Sequence, residues 1–256
     1  MTSAMDAARP DPVDYMLQVA RTPAAVAYKS HVLAEMSLAL GASAVDVGCG
    51  PATDLQDVAD LVAPDGLVVG LDFDQRMLAA AANRSTGGAA LVAGDAHMLP
   101  LASGRIDRVR TDRALQHVSD PRLVLREFHR VLAPGGIAVL AEPDWRTLVI
   151  DGGSREVGRR FVDYTCERVV RNATVGREVG RLGQDAGFLV RNVVAFPTVL
   201  RDFAQADKIF GLTRNAQAAT QAGYLPKDQA DEWLADLLRG PVLAAVTLFV
   251  TTLVAQ

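Results

Sequence analysis

"VDVGCGPATDL" occupies residues 45–55, and the fold turns on how it is read. An apolar run reaches Asp46 and Val47, meets Gly48 and Gly50, and then turns polar. That pattern predicts a buried strand ending in a tight turn that opens a helix. Glycines in such a turn permit backbone angles and close approach that a side chain would block. The free N–H groups of the following helix favour a carboxylate or phosphate. A nucleotide-type cofactor therefore fits on the turn, lined by Asp46, Gly48, Cys49 and Gly50. Two spaced glycines also occur in plain strand-to-helix connections, so other contacts must come from elsewhere in the chain.

The chain repeats the pattern. "LVVGLDF" (67–73) is a second apolar run, ending at Asp72 and Phe73. "AALVAG" (89–94) is a third, followed by Asp95 and Ala96. "GRIDRVRTDR" (104–113) alternates as a fourth strand, and "IAVLAEP" (137–143) is the fifth. Helices are predicted over 53–62, from Gln75 to Asn83, and within "SDPRLVLREFHRVLAPGG" (119–136), which carries capping residues, an early proline and a Pro-Gly-Gly stop. Alternating strands and helices predict a doubly wound α/β sheet of parallel strands.

Helical periodicity over 13–40 is divided by Pro23. After Asp144 the rhythm breaks into helical stretches at 153–186 and 204–239, an extended run from Phe188 to Leu200, and a last strand at 242–254. The expected organisation is a single domain over 1–256. N-terminal helices fill 1–40, a cofactor-binding core 41–150, helical lid insertions 151–186 and 204–239, and the final strand 242–254. In such sheets ligands bind at the carboxyl ends of the strands. Asp72 is placed there to accept from ribose hydroxyls, and Asp95 to accept from an adenine amino group.

Together these features resemble the class I S-adenosylmethionine-dependent methyltransferases, in the broad group similar to the ubiquinone-biosynthesis enzymes (methyltransferase type 11-like). The resemblance runs over roughly residues 40–145 and rests on "VDVGCGPATDL", "VVGLDFDQRML", "AGDAHMLPL" and "LREFHRVLAPGGIAVLAEPDW". It implies S-adenosyl-L-methionine as cofactor and S-adenosyl-L-homocysteine as product. Phe73 is then expected beside the adenine, with Met77 a further cofactor contact; Arg113, in the turn after the fourth strand, either reaches the cofactor or pairs with Asp112 or Glu142. It also implies a seven-stranded sheet of order 3-2-1-4-5-7-6 with the last strand antiparallel. One departure is visible: Ala52 stands where the family often has a third glycine. A nicotinamide dinucleotide is the competing cofactor, but its fingerprint wants a glycine where Thr53 stands.

Methyl transfer needs an aligned nucleophile, exclusion of water and a proton acceptor where the nucleophile carries a proton. His117, after the fourth strand, is the best-placed group of near-neutral pKa. Glu142 is a second candidate base, a holder of an amine or cation, or a structural acid bonding a backbone amide. Glu142, Asp144 and Trp145 are expected to end the fifth strand and face the pocket. Tyr15, His117, Trp145, Phe203 and Trp233 are assigned to the acceptor pocket, within a lid that also carries Phe161, Tyr164, Phe210 and Tyr224. The arginines of 155–181 read as a solvated surface, of which one could hold an anionic acceptor. No metal-ligand spacing is seen.

The 256 residues carry a net charge of −4 and no basic stripe, so neither nucleic acid nor an anionic membrane is an expected partner. Two cysteines and an N-terminus without a basic start and apolar core lead to an expected cytoplasmic location. The expected partner is a small-molecule methyl acceptor, in specialised metabolism, with the chain a monomer or homodimer. The other function weighed is a cofactor-binding protein of the same fold that transfers no methyl group.

Overall fold

The computed structural model describes residues 11–256. Two helices lead, α1 (Pro12–Ala20) and α2 (Pro23–Met36), each opened by a side-chain cap and a proline. Asp11 accepts from the N–H groups of Val13 and Asp14, and Thr22 from that of Ala25. Pro23 thus starts the second helix as well as dividing the pair. Then follow β1 (Ser43–Val47), α3 (Leu55–Val62), β2 (Leu67–Asp72), α4 (Gln75–Ala82), β3 (Ala90–Ala93) and β4 (Ile106–Asp112). α5 (Pro121–Val131) is capped by Asp120 and buries Val124, Leu125, Phe128 and Val131 on one face.

The rest comprises β5 (Leu132–Asp151), α6 (Arg155–Tyr164), a π-helical turn (Thr165–Val169), α7 (Val175–Asp185) and β6 (Phe188–Leu200). It closes with α8 (Phe203–Phe210), α9 (Leu212–Gln221), α10 (Lys227–Arg239) and β7 (Leu243–Ala255). The seven strands form one sheet in the order β3-β2-β1-β4-β5-β7-β6. β1 to β5 pair parallel, and β7 runs antiparallel between β5 and β6. Among the described residues no helix is long and apolar enough to cross a membrane.

β5 departs from expectation. It does not end near Glu142 but continues to Asp151, because β7 pairs with it from Ile137 to Asp151. Glu142 and Asp144 therefore lie in mid-strand. The sheet buries one face under α5 and α7 and the other under α2 and α3. α7 accordingly belongs to the sheet core, although the sequence places it in the lid. A third apolar cluster joins α6 and α8–α10 to the far ends of β5 and β7, and this is the lid's own core.

Candidate active site

β1 and β4 are neighbours in the sheet, and the chain leaves them in opposite directions across it. A crevice opens at that switch point. The glycine turn sits on one side. The N–H groups of Gly48 and Cys49 both donate to the Leu71 carbonyl, at 2.7 and 3.0 Å, which pins the turn to the end of β2. Gly48 has φ +76°, and a Cβ there would stand 2.7 Å from Ala114 Cβ, after β4. Only glycine fits this approach. Gly50 has φ +54°, and its N–H donates to Asp72 Oδ2 at 2.8 Å. Asp74 N–H donates to Asp72 Oδ1, also at 2.8 Å. Two backbone donors thus aim the Asp72 carboxylate across the turn, and each oxygen keeps acceptor capacity.

Ala52 adopts φ +58° and is buried. The alanine in place of the family's glycine therefore holds the left-handed conformation that glycine would take without strain.

A charged layer lies under the turn. Arg110, 1% exposed, reaches Asp54 at 2.8 Å, Asp46 at 3.5 Å and Asp112 at 3.6 Å. Lys29 Nζ stands 2.6 Å from Asp54 and 3.4 Å from Asp112, and Tyr28 donates to Asp112 at 3.1 Å. Burial pushes the Asp46 carboxyl up to about 6, against the pull of Arg110. Burial acts the same way on Asp54, but Arg110 and Lys29 outweigh it and hold that group at about 2. Asp46 Oδ1 is buried without a hydrogen-bond partner. Asp54, Lys29 and Arg110 were not singled out by sequence; their pairing joins three separate elements and leaves no local spacing to find.

At the third strand edge, Asp95 Oδ1 accepts from the His97 N–H at 2.9 Å and meets His97 Nδ1 at 2.6 Å. His97 Nε2 accepts from the Asp120 N–H at 3.2 Å, which puts the ring proton on Nδ1, facing Asp95. His97 therefore orients Asp95 from the N-terminus of α5, a positioning role missed in the sequence. These hydrogen bonds hold the Asp95 carboxyl below its ordinary value. Phe73 and Met98 stand exposed beside these two acids, at 81% and 77%. Ala96 and Met77 are half-buried.

After β4, Arg113 takes φ +58°. Its guanidinium donates to the Tyr15 hydroxyl at 3.0 Å, and that hydroxyl donates to the Ile209 carbonyl at 3.2 Å. Tyr15 thereby ties α1 to the sheet and to α8. Gln116 donates to the Arg113 carbonyl at 3.0 Å and accepts from Trp145 Nε1 at 2.8 Å. These residues border a cavity of about 650 Å³, walled also by Met16, His117, Tyr164, the Thr165–Val170 stretch, α8 and α9. Met16 links it to the glycine turn, since a Cβ at Gly50 would lie 3.8 Å from Met16 Cε. His117 stands at the exposed rim. The surrounding protein wall desolvates its ring, and with the charges of Arg113 and Arg171 this holds the imidazole below its ordinary pKa. A separate hollow of about 400 Å³ is lined by Arg122, Arg146 and Arg171, the last among the arginines from which the sequence offered a holder of an anionic acceptor.

Four expectations about the pocket need correction. Glu142 is 0% exposed, and its carboxylate accepts from the N–H groups of Leu115 at 2.7 Å and Gln116 at 3.3 Å. It clamps the turn that carries His117 and does not reach the cavity; burial pushes it up to about 8. Asp144, also fully enclosed, turns to Arg177 and accepts from the Arg146 N–H at 3.0 Å. Trp233 is 1% exposed and packs on Phe161, with ring centroids 5.3 Å apart. Phe203 packs against the same lid core. Both aromatics fill the space between lid helices, away from the cavity wall. Tyr15, His117 and Trp145 do line the cavity.

The chain is similar to known proteins in sequence and fold. A family model described as "Methyltransferase domain" matches residues 45–140. Demethylmenaquinone methyltransferase of Geobacillus kaustophilus is 36% identical over 125 residues, 47% of this chain and 53% of that protein. Residues 45–140 belong to the class I S-adenosylmethionine-dependent methyltransferase family. An uncharacterised 37.1 kDa protein in transposon TN4556 of Streptomyces fradiae is 47% identical over 247 residues, covering 96% of this chain and 72% of that one. An S-adenosylmethionine-dependent methyltransferase structure from Aquifex aeolicus superposes with a TM-score of 0.56 at 16% identity, over 94% of this chain and 99% of that one, and shares its methyltransferase fold. The match spans about half the length of the quinone methyltransferase relative. The family model ends before the lid residues that wall the cavity.

Proposed function

We propose that this chain binds S-adenosyl-L-methionine and transfers its methyl group to O, N or C of a small-molecule acceptor, releasing S-adenosyl-L-homocysteine. The observation that carries this reading is the Asp72 carboxylate, aimed by the Gly50 N–H across a turn that opens, through Met16, onto the cavity. The donor set fits the cofactor. Asp72 has oxygens free to accept from two ribose hydroxyls, and Asp95 is fixed to accept from an amino group. Phe73 and Met98 offer apolar faces to a flat ring, and the glycine turn leaves room for backbone contact.

When bound, the cofactor supplies a methyl carbon on a cationic sulfur. The chain's residues do the remainder. The cavity wall of Trp145, Tyr164 and Phe210 seats a flat acceptor and keeps water from the reacting atoms. Trp145, Tyr164 and Phe210 would hold the acceptor's nucleophilic atom toward that carbon, whose sulfur would be the leaving group. Where the nucleophile carries a proton, the His117 imidazole receives it; its depressed pKa keeps it in the receptive form at neutral pH.

The acceptor of the quinone relatives does not transfer directly, because the matched region omits the lid. A role in specialised metabolism and a cytoplasmic setting, as monomer or homodimer, belong to the same proposal. The test is to incubate the protein with methyl-labelled S-adenosylmethionine and a small-molecule extract, and to follow label. Labelled product is the expected result. Saturable cofactor binding with no labelled product would instead favour a protein that holds the cofactor for another step. Absence of cofactor binding would overturn the reading.

A further inference from the structure

The charges around the cavity are one-sided. Arg113, His117, Arg168, Lys208 and Arg214 line it, and among the described residues no aspartate or glutamate does. This is unusual in a chain with net charge −4, whose other arginines mostly meet carboxylates. Among the described residues, Arg113, Arg168, Lys208 and Arg214 form no ion pair. Arg113 is held by Tyr15, and Arg168 reaches the Tyr224 hydroxyl at 3.3 Å. Arg214 makes only a long bond of 3.4 Å to Asn215. Lys208 and Arg214 flank Gly211, the left-handed corner between α8 and α9. A Cβ at Gly211 would stand 2.6 Å from Arg214 Nη2, so the bare corner is what lets that guanidinium lie where it does.

We infer that the methyl acceptor is an anionic aromatic molecule, carrying a carboxylate, sulfonate or phosphate that Lys208 and Arg214 hold while its ring lies along Trp145 and Phe210. The inference rests on the methyl-transfer reading and specifies its substrate class. Uncompensated cations in a partly enclosed cavity repel one another and attract an anion. Guanidinium and ammonium groups supply charge-assisted hydrogen bonds to it. The aromatic wall accepts the flat body. Trp145 and Phe210 already stand edge to face, 6.1 Å between centroids, so they form two sides of one apolar corner. The same charge distribution disfavours cationic amine acceptors, since among the described residues nothing acidic lines the cavity to receive them. Lys208 and Arg214 come from the lid and His117 from the sheet, so the anchor and the base are carried by different parts of the molecule.

The test compares two dyes that differ by one anionic group: 8-anilinonaphthalene-1-sulfonate and neutral N-phenyl-1-naphthylamine. Both are titrated by fluorescence into the wild-type protein loaded with S-adenosylhomocysteine. The sulfonate should bind at one saturable site, about tenfold tighter than the neutral dye, and should weaken as salt is added. K208Q/R214Q should bring its affinity down to that of the neutral dye, while neutral-dye and S-adenosylhomocysteine affinities stay as in the wild type. Equal affinity of the two dyes for the wild-type protein, no saturable sulfonate binding, or sulfonate binding unmoved in a folded K208Q/R214Q would overturn the assignment. The wild-type comparison needs no variant to fold. S-adenosylhomocysteine binding is measured separately by calorimetry. Its absence would sink the methyl-transfer reading, and the dye comparison, repeated without it, would still decide the charge preference of the cavity.

Discussion

At Asp72, two backbone N–H groups fix the carboxylate before any ligand arrives. Pre-aimed acceptors lose little freedom on binding, so removing one should be felt fully. Asp72→Ala should weaken S-adenosylmethionine binding by about 1–3 kcal/mol, read by calorimetry. An unchanged affinity would remove Asp72 from the cofactor site. As the proposed proton acceptor, His117 would work through its unprotonated ring, and its pKa is depressed. The rate should therefore rise with pH and level off below the pH at which a free imidazole would. His117→Gln should abolish that rising limb and leave S-adenosylhomocysteine affinity intact. Ala52 tests the turn itself. Glycine there relieves left-handed strain but loses a buried methyl and loosens the unfolded chain, so Ala52→Gly should shift stability by less than about 1 kcal/mol in urea unfolding. Ala52→Val should cost more than about 2 kcal/mol, because a β-branched residue cannot take that φ in a buried turn.

At the scale of elements, the latch between α1 and α8 is one hydroxyl. Tyr15→Phe deletes both of its hydrogen bonds and keeps the ring over Arg113. The helix should loosen by about 1 kcal/mol, seen as faster amide hydrogen exchange across 12–20 with the sheet unaffected. Element boundaries were legible wherever the signal is local. Pro23, Asp120 and Pro121 mark helix starts through chemistry within one turn, and Gly48 marks a bend that no other residue could make. The length of β5 was not legible, because its continuation depends on β7, a hundred residues later. Glu142 was misplaced for the same reason: its partners are N–H groups of Leu115 and Gln116, distant in sequence. Phe203 and Trp233 were misread because an aromatic on a helix has the same spacing whether it fills a core or lines a pocket. Lys208 and Arg214 have the spacing of an ordinary solvated face, and only the fold turns them toward a cavity.

For the molecule as a whole, enclosed carboxyl groups make stability depend on pH in a defined direction. Burial raises Glu142 from 4.5 to about 8. Between those values the folded protein keeps a proton that the unfolded chain gives up. The contribution is therefore fully present below 4.5 and is lost as pH rises through about 8. Asp46, raised to about 6, acts in the same sense over a narrower window. Asp54, lowered to about 2, acts in the opposite sense: its contribution is present above 3.8 and lost as pH falls through about 2. Thermal unfolding should give a midpoint that declines from pH 5 to 9. Glu142→Gln should flatten that decline and melt above the wild type at pH 9. Identical slopes in the two proteins would contradict the enclosed, proton-bearing state of Glu142.

α1 also roofs two rooms at once. Met16 overhangs the glycine bend, while Tyr15, its neighbour, is fastened to both the sheet and the far wall of the cavity. Displacing this one short helix would therefore disturb both at once. Under the methyl-transfer proposal, a change that stiffens α1 should slow exchange of cofactor and of acceptor together.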